Sequence, residues 1–313
     1  MFALASAACG RDEPASSSPA GAPAPTRTAP ATAPTAAPAP ASPADAEAAR
    51  AAVARGRLLF AARDFAGARA AFAEAMQRDP ASADALFWAG RADIASSAGM
   101  SYSRAIEYFE RALALEPGNA SIAGRYSVLL MIVGRRTEAL ATARKGTELD
   151  PLSVESWLSL ANVYLSDRSS VAEARGPIDR AFALNPESTF VKSSLVTLAL
   201  LQGDGAQALA VARTAGPAWS QILTAMAEHT LGHAQESQAA LDEVVAKYAH
   251  EAAYQIAGIY AWRGEKDKAF EWLDRAYAQA DGGMAYIKTD LFLESIRSDP
   301  RFAAMVKKMG LPA

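Results

Sequence analysis

The stretch AFAEAMQRDP, residues 71–80, returns in altered form as YFERALALEP at 108–117, ATARKGTELDP at 141–151 and PIDRAFALNP at 177–186. Each copy sets small residues and larger apolar ones on a helical period and closes on a proline. Those prolines are Pro80, Pro117, Pro151 and Pro186, so the copies stand 37, 34 and 35 residues apart. A period near 34 with this pattern marks a stacked helix–turn–helix unit. One unit cannot bury its apolar face alone, so the copies must stack into a solenoid, an architecture that presents extended binding surfaces. Proline ends the second helix of each unit because it lacks an N–H and clashes with the preceding turn.

The first helix of each unit is legible from its end. Gly134, Gly203, Gly232 and Gly264 stand where that helix should stop, followed by GRRTEAL, GDGAQAL, GHAQESQ and GEKDKAF. A glycine there adopts the left-handed conformation of a helix C-cap without steric cost. Small residues inside the helices let neighbours approach closely, and large ones fill the space between. The first copy carries Gly56 and Leu59, then Ala68, Phe72 and Ala75, and the second Leu86, Ala89 and Gly90, then Ala105, Phe109 and Ala112. In the second, the loop SSAGMSYS is about three residues longer than in its siblings. The fourth copy carries Trp157, Leu160, Ala161 and Tyr164, and a seventh carries Ile256, Ala257, Tyr260, Gly264, Ala269, Leu273 and Ala276. The fifth is cut short at Gly216–Pro217, and the sixth, from Trp219 to Tyr248, is degenerate and reads as a weak copy or a hinge.

These positions resemble the tetratricopeptide repeat, W-x2-L-G-x2-Y followed by A-x3-F-x2-A and Pro. The resemblance implies an all-α, right-handed solenoid of six to seven repeats over residues 46–280. Residues 253–312, from AYQIAGIYAWRG to KKMGLP, are similar to the closing segment of bacterial signalling-associated members of that family, and 281–313 form its last part. That last part reads as a helical cap in which Leu291, Leu293, Ile296, Phe302, Met305 and Val306 cover the exposed end of the array.

In this family the first helices line a concave groove. The resemblance places Phe87, Arg91, Val128, Met131, Leu158, Asn162, Leu165, Thr197, Ile222 and Met226 on that surface, with some of these side chains equally readable as helix–helix packing. Chaperone-binding members clamp a peptide carboxylate with Lys and Asn at such places. Here only Asn162 matches, and Leu158 stands where the Lys belongs, so that activity is not implied. A mainly apolar groove for an extended or helical protein segment is.

The opening residues MFALASAACG resemble the end of a bacterial lipoprotein signal, with Cys9 as the lipidated residue and Gly10, rather than Asp, favouring the outer membrane. Residues 1–9 thus read as a truncated signal and 10–45 as a disordered tether. From Pro14 to Pro43 the chain is almost wholly Ala, Pro, Ser and Thr; it holds nine of the 17 prolines and a single charge, Arg27. Such a segment cannot bury enough apolar surface to offset its ordering entropy, and thirty residues at about 3.1 Å each reach about 90 Å. The expected location is the periplasmic face of an envelope membrane. An unanchored N-terminus, and a cytoplasmic signalling adaptor, is the alternative.

Signals for chemistry are sparse. Cys9 is the only cysteine, so no intrachain disulfide or cysteine zinc cluster can form. No GxGxxG, phosphate loop or GxSxG elbow occurs. His229 and His233 are four apart, but Gly232 between them should turn the chain, so a shared metal is not expected and a metal-dependent enzyme is the remote alternative. Glu107, Glu110, Glu138 and Glu173 fit solvent faces of helices. The net charge of −3 comes without a basic stripe, which leaves no nucleic-acid surface. No cofactor and no small-molecule substrate is expected, and the only membrane contact foreseen is the lipid on Cys9.

Overall fold

A computed structural model describes residues 41–95 and 101–311. Cys9 and most of the expected tether lie outside them, as does part of the long loop of the second repeat. The described residues form fifteen α-helices, fourteen of them in seven antiparallel pairs, with no strand among them. The pairs are α1 (Pro43–Ala61) with α2 (Phe65–Arg78), α3 (Ala83–Ile94) with α4 (Tyr102–Leu115), and α5 (Ala120–Ile132) with α6 (Arg136–Leu149). Then come α7 (Val154–Leu165) with α8 (Arg175–Leu184), α9 (Thr189–Leu201) with α10 (Gly205–Ala212), α11 (Pro217–Thr230) with α12 (Ala234–Tyr248), and α13 (Ala253–Trp262) with α14 (Lys266–Ala278). A 3-10 helix, Arg168–Ala174, precedes α8; two more, Gly282–Tyr286 and Leu291–Ile296, lead to a last helix, α15 (Pro300–Lys308). Each pair packs on the first helix of the next, in most pairs through both of its helices, which makes the array an α-solenoid.

The closing prolines act through a turn. Asn119 N donates to Glu116 O, Ser153 N to Asp150 O and Ser188 N to Asn185 O, with the proline at the second turn position, where its fixed φ is already correct. The residue after the turn caps the next helix: Ser82 accepts from Ala85 N, Asn119 from Ile122 N and Ser153 from Ser156 N. The same logic moves the start of the array. Ser42 caps α1 by accepting from Asp45 N, with Pro43 in the first turn. The helix therefore begins three residues before the expected boundary at 46.

Between helices of a pair, Gly134, Gly203, Gly232 and Gly264 have φ of 85°, 79°, 82° and 79°. The following amide reaches back to close the helix, Arg135 N to Leu130 O and Glu265 N to Tyr260 O. Repeat one makes the same closure, Asp64 N to Leu59 O at 2.9 Å, with Arg63 at φ 63° in the glycine's place. A side chain there costs free energy that glycine avoids. Arg63→Gly should raise stability by about 0.5–1 kcal/mol, seen as a higher Tm. A lowered Tm would mean that the guanidinium's position over the Phe65 ring, 5.9 Å from its centroid, outweighs the backbone strain.

The sixth repeat is a full helix pair. The glycine of the W-x2-L-G-x2-Y pattern is missing from its first helix, but Ala225 and Ala227 are fully buried and Ser237 Oγ donates to Ala225 O at 2.7 Å, so α11 and α12 meet closely by another route. The fifth is short, as its Gly216–Pro217 requires: α10 has eight residues.

The C-terminal segment departs from the expected end cap. Helix α15 does sit on α14, through Arg301–Asp267 and Lys308–Asp274 ion pairs and Lys308 over the Tyr277 ring. The two 3-10 helices before it turn instead into the concave side. Leu291 packs with Ala161, Leu165, Val171 and Leu198 of the fourth and fifth repeats. Arg168, in the fourth repeat, donates to Glu294 at 3.1 Å and to Leu201 O at 3.1 Å. The reason is surface area: the concave side of repeats four to seven presents Leu165, Leu201, Trp219, Ile222 and Met226 beside its polar groups, and one segment covers both it and the array's end.

Candidate binding groove

The first helices of the pairs face one another across the concave side, and the segment Gly282–Phe292 divides that side into a filled part and an open part. In the filled part, Tyr286, Leu291 and Phe292 lie against Met131, Leu165, Thr197 and Trp219, leaving a cavity of about 50 Å³. Phe292 meets Trp262 edge-on at 5.3 Å, and with Asp290 it bounds a gap of about 10 Å³ beside Ile222, Met226 and Tyr254. Tyr254 Oη donates to Asp290 at 3.1 Å. The segment is held at its start by Asp281, which is buried and accepts from Tyr254 N and Gly283 N; burial raises its carboxyl above the usual range.

The open part is a cavity of about 290 Å³ over the first four repeats. Phe60, Arg63 and Phe65 contribute from the first turn, Arg91 and Ile94 from α3, and Arg125, Val128 and Ile132 from α5. Glu155, Leu158 and Asn162 come from α7, Phe190 from α9, and Tyr286 from the C-terminal segment. Arg91 lies over Trp88 at 4.1 Å and over Phe60 and Phe87 at 5.2 and 5.5 Å, a cation–π stack that fixes its plane. Arg125 forms an ion pair with Glu155 on the next first helix. Burial raises the Tyr286 phenol, against the pull of Arg125 and Arg91, whose charges both act on it. The Asn162 amide oxygen has no hydrogen-bond partner among the described residues, and its side chain lines both the open and the filled parts.

The ten residues expected on the groove therefore divide. Arg91, Val128, Leu158 and Asn162 meet in the open cavity, Asn162 also bounding the filled part. Met131, Leu165 and Thr197, and further along Ile222 and Met226, face the chain's own segment. Phe87 faces the core, edge-on to Phe109 at 5.9 Å. Sequence reasoning missed Arg63, Arg125 and Tyr286. Arg63 stands in a turn, and Arg125 lies three positions before Val128, the nearest residue of its helix expected on the groove. Nothing in sequence locates Tyr286.

Glu107, Glu110, Glu138 and Glu173 are exposed. His229 lies near the end of α11, held below the usual range by burial and by Arg263. His233 stands beyond the Gly232 turn with Nδ1 2.7 Å from the buried Glu228. Among the described residues no group of three or more His, Cys, Asp or Glu is placed to hold a metal ion.

Residues 101–165 match one tetratricopeptide-repeat family model, and residues 53–93 and 223–284 match a second. Together they cover more than half of the sequence. The chain belongs to the tetratricopeptide-repeat family. No curated protein sequence matches this tetratricopeptide-repeat chain, but solved structures of similar fold do. PilF of Pseudomonas aeruginosa is 19% identical, with a TM-score of 0.53 over 66% of this chain and 94% of its own. PilW, a widely conserved type IV pilus biogenesis factor, is also 19% identical, with a TM-score of 0.54 over 64% and 93%. A tetratricopeptide-repeat protein from Parabacteroides merdae is 14% identical, with a TM-score of 0.56 over 84% and 99%. At these identities the likeness is one of fold. No described helix of the tetratricopeptide-repeat array is long and apolar enough to cross a membrane.

Proposed function

We propose that this chain is a non-catalytic scaffold that holds a segment of a protein partner in the open half of its groove, tethered to the periplasmic face of a bacterial envelope membrane through Cys9. The observation that carries the binding half of this reading is the cavity of about 290 Å³ left open between the first helices of repeats one to four. Its walls are set by rigid helices, so a ligand there meets preformed contacts and little ordering cost. Apolar Leu158, Val128 and Phe190 supply contact area, and Asn162 supplies an amide oxygen without a hydrogen-bond partner among the described residues. The tether rests on the lipobox-like residues before Cys9 and on the proline-rich stretch after it; PilW, of similar fold, is described as a pilus biogenesis factor.

A photo-crosslinking residue at Asn162 in the native host should trap a discrete protein, and one at the exposed Lys145 on α6 should not. Leu158→Asp should abolish the adduct while far-UV circular dichroism stays unchanged. Equal crosslinking from both positions would refute the groove. For the tether, the wild-type chain should fractionate with membranes and carry a diacylglyceryl mass, and Cys9→Ala should be soluble; an unmodified wild-type chain in the soluble fraction would refute it.

A further inference from the structure

The net charge of the chain is −3, yet the open cavity carries the opposite sign. Of its charged lining residues three are arginines, Arg63, Arg91 and Arg125, and one is acidic, Glu155. The arginines come one from each of the first three repeats, on the α1–α2 turn, on α3 and on α5. Glu155 is paired with Arg125, so the lining as a whole stays cationic. The nearby buried carboxylate, Asp281, accepts from two backbone amides and also feels the Arg63 charge. Around the arginines the walls are aromatic and aliphatic, with Phe60, Phe65, Phe190 and Leu158.

Resting on the scaffold reading above, we propose that the open cavity takes an acidic segment of a protein partner, its carboxylate side chains spaced to meet Arg63, Arg91 and Arg125 and its apolar side chains seated between them. Guanidinium groups suit this work. Each offers several donors in a fixed plane, pairs with carboxylates in two-point geometry, and stays charged when partly dehydrated. The Arg91 stack over Trp88, Phe60 and Phe87 restricts its plane before a ligand arrives, which reduces the rotamer entropy lost on binding. Low local dielectric strengthens the attraction relative to a free surface. Because the charges are distributed over three repeats, a segment with two or three separated acids fits the cavity better than a single anion.

The test uses the full chain and a fluorescent peptide of roughly ten residues, acetylated and amidated so that only side-chain carboxylates are charged, alternating Asp or Glu with Leu or Phe. Two controls replace the acids by Asn and Gln, or by Lys. The acidic peptide should bind about tenfold or more tightly than the amide version, the Lys version should not bind, and affinity should fall between about 0.05 M and about 0.5 M salt. Arg63→Gly should weaken the acidic peptide several-fold. It is the decisive variant, because the change also relieves a left-handed residue; an unlowered Tm measured beside it separates lost binding from lost fold. Arg125→Gln should weaken it further.

If the amide peptide binds as well as the acidic one and Leu158→Asp abolishes both, the acidic class falls while the groove stands. If no peptide binds, or Leu158→Asp leaves binding intact, the groove assignment fails with it. A short single-stranded oligonucleotide that displaces the acidic peptide at lower concentration would also overturn the proposal, by making the cavity a phosphate site.

Discussion

A chain ended at Ala280 should lose ordered structure in α11 to α14, with a fall in Tm of at least about 10 °C, and should keep protected amides in α1 to α4. The removed residues include Met284, Ile287, Leu291, Phe292, Leu293, Ile296, Phe302 and Met305, none more than 7% exposed. Fully burying one such side chain contributes about 1.5–3 kcal/mol, while an entire domain is stable by only about 5–15 kcal/mol. Ordering the segment costs roughly 1–2 kcal/mol per residue, so the net loss is far smaller than the gross burial. It remains large because the surface left behind is apolar on two sides. Trp262, Ile222, Met226 and Leu165 would face water, and Tyr254 would lose its hydroxyl partner Asp290 and its amide's partner Asp281. The N-terminal block has a core of its own, built from Ala52, Val53, Phe60, Phe72 and Ala89 among others, and it should outlast the rest. Hydrogen exchange resolved by peptide would decide the matter. Protection in α13 and α14 equal to that of the full chain would mean that the segment is an accessory cover rather than part of the core.

That segment also determines where a ligand can go. By filling the concave side of repeats four to seven it leaves the cavity over the first four repeats as the accessible part of the groove. In a uniform array of this kind, every first helix would contribute equally to recognition. Here Ile222 and Met226 face the chain's own Phe292, and the space left open is lined by Arg91, Arg125, Leu158 and their neighbours. The segment is pinned in place by a contact between residues 126 apart in sequence, Arg168 with Glu294.

What the sequence revealed follows the range of the interactions involved. Pro117 and Gly134 act on their own turns, and their residue types are almost obligatory for those φ values, so the repeat boundaries were readable to within a few residues. Arg63 performs the same turn with the wrong residue type and gave no local signal. Ala225 and Ala227 achieve close packing in repeat six without a glycine, which is why that repeat looked degenerate while its helices are regular. The run LFLESI at 291–296 was legible as apolar and in need of cover. Its docking site was not, because the surfaces that receive it belong to other repeats and are apolar for the packing of those repeats as well. Tyr286 and Arg125 became site residues only when the superhelix brought the C-terminal segment over α5.

Phe109→Ala should be the most damaging single substitution in the first half of the array, costing about 3–5 kcal/mol. Phe109 is fully buried and joins two repeats, edge-on to Phe87 at 5.9 Å and stacked on Tyr126 at 5.9 Å. Its ring also lies over Gly90, where an added Cβ would come within 2.8 Å of the ring carbon Cε2. The glycine and the phenylalanine are therefore one packing unit on neighbouring helices, and collapse into the vacated space is limited by the backbone of α3. In a solenoid, stability is the sum of repeat terms and nearest-neighbour interfaces, so loss at the α3–α4–α5 junction should uncouple repeats one and two from the remainder. Denaturant unfolding should then change from one transition to two, or show a reduced m-value. Phe109→Leu, which keeps most of the volume, should cost about 1.5 kcal/mol or less, and Leu152→Ala, at a 77% exposed turn position, less than about 0.5 kcal/mol. A single transition for Phe109→Ala with unchanged slope and a loss below about 1 kcal/mol would show that the junction relaxes around the cavity and that the repeats are coupled elsewhere. The Arg125–Glu155 pair and the Leu158 wall lie just beyond this junction. Phe109 itself lines the open cavity, so the same variant should weaken binding there both by removing part of the wall and by shifting α5.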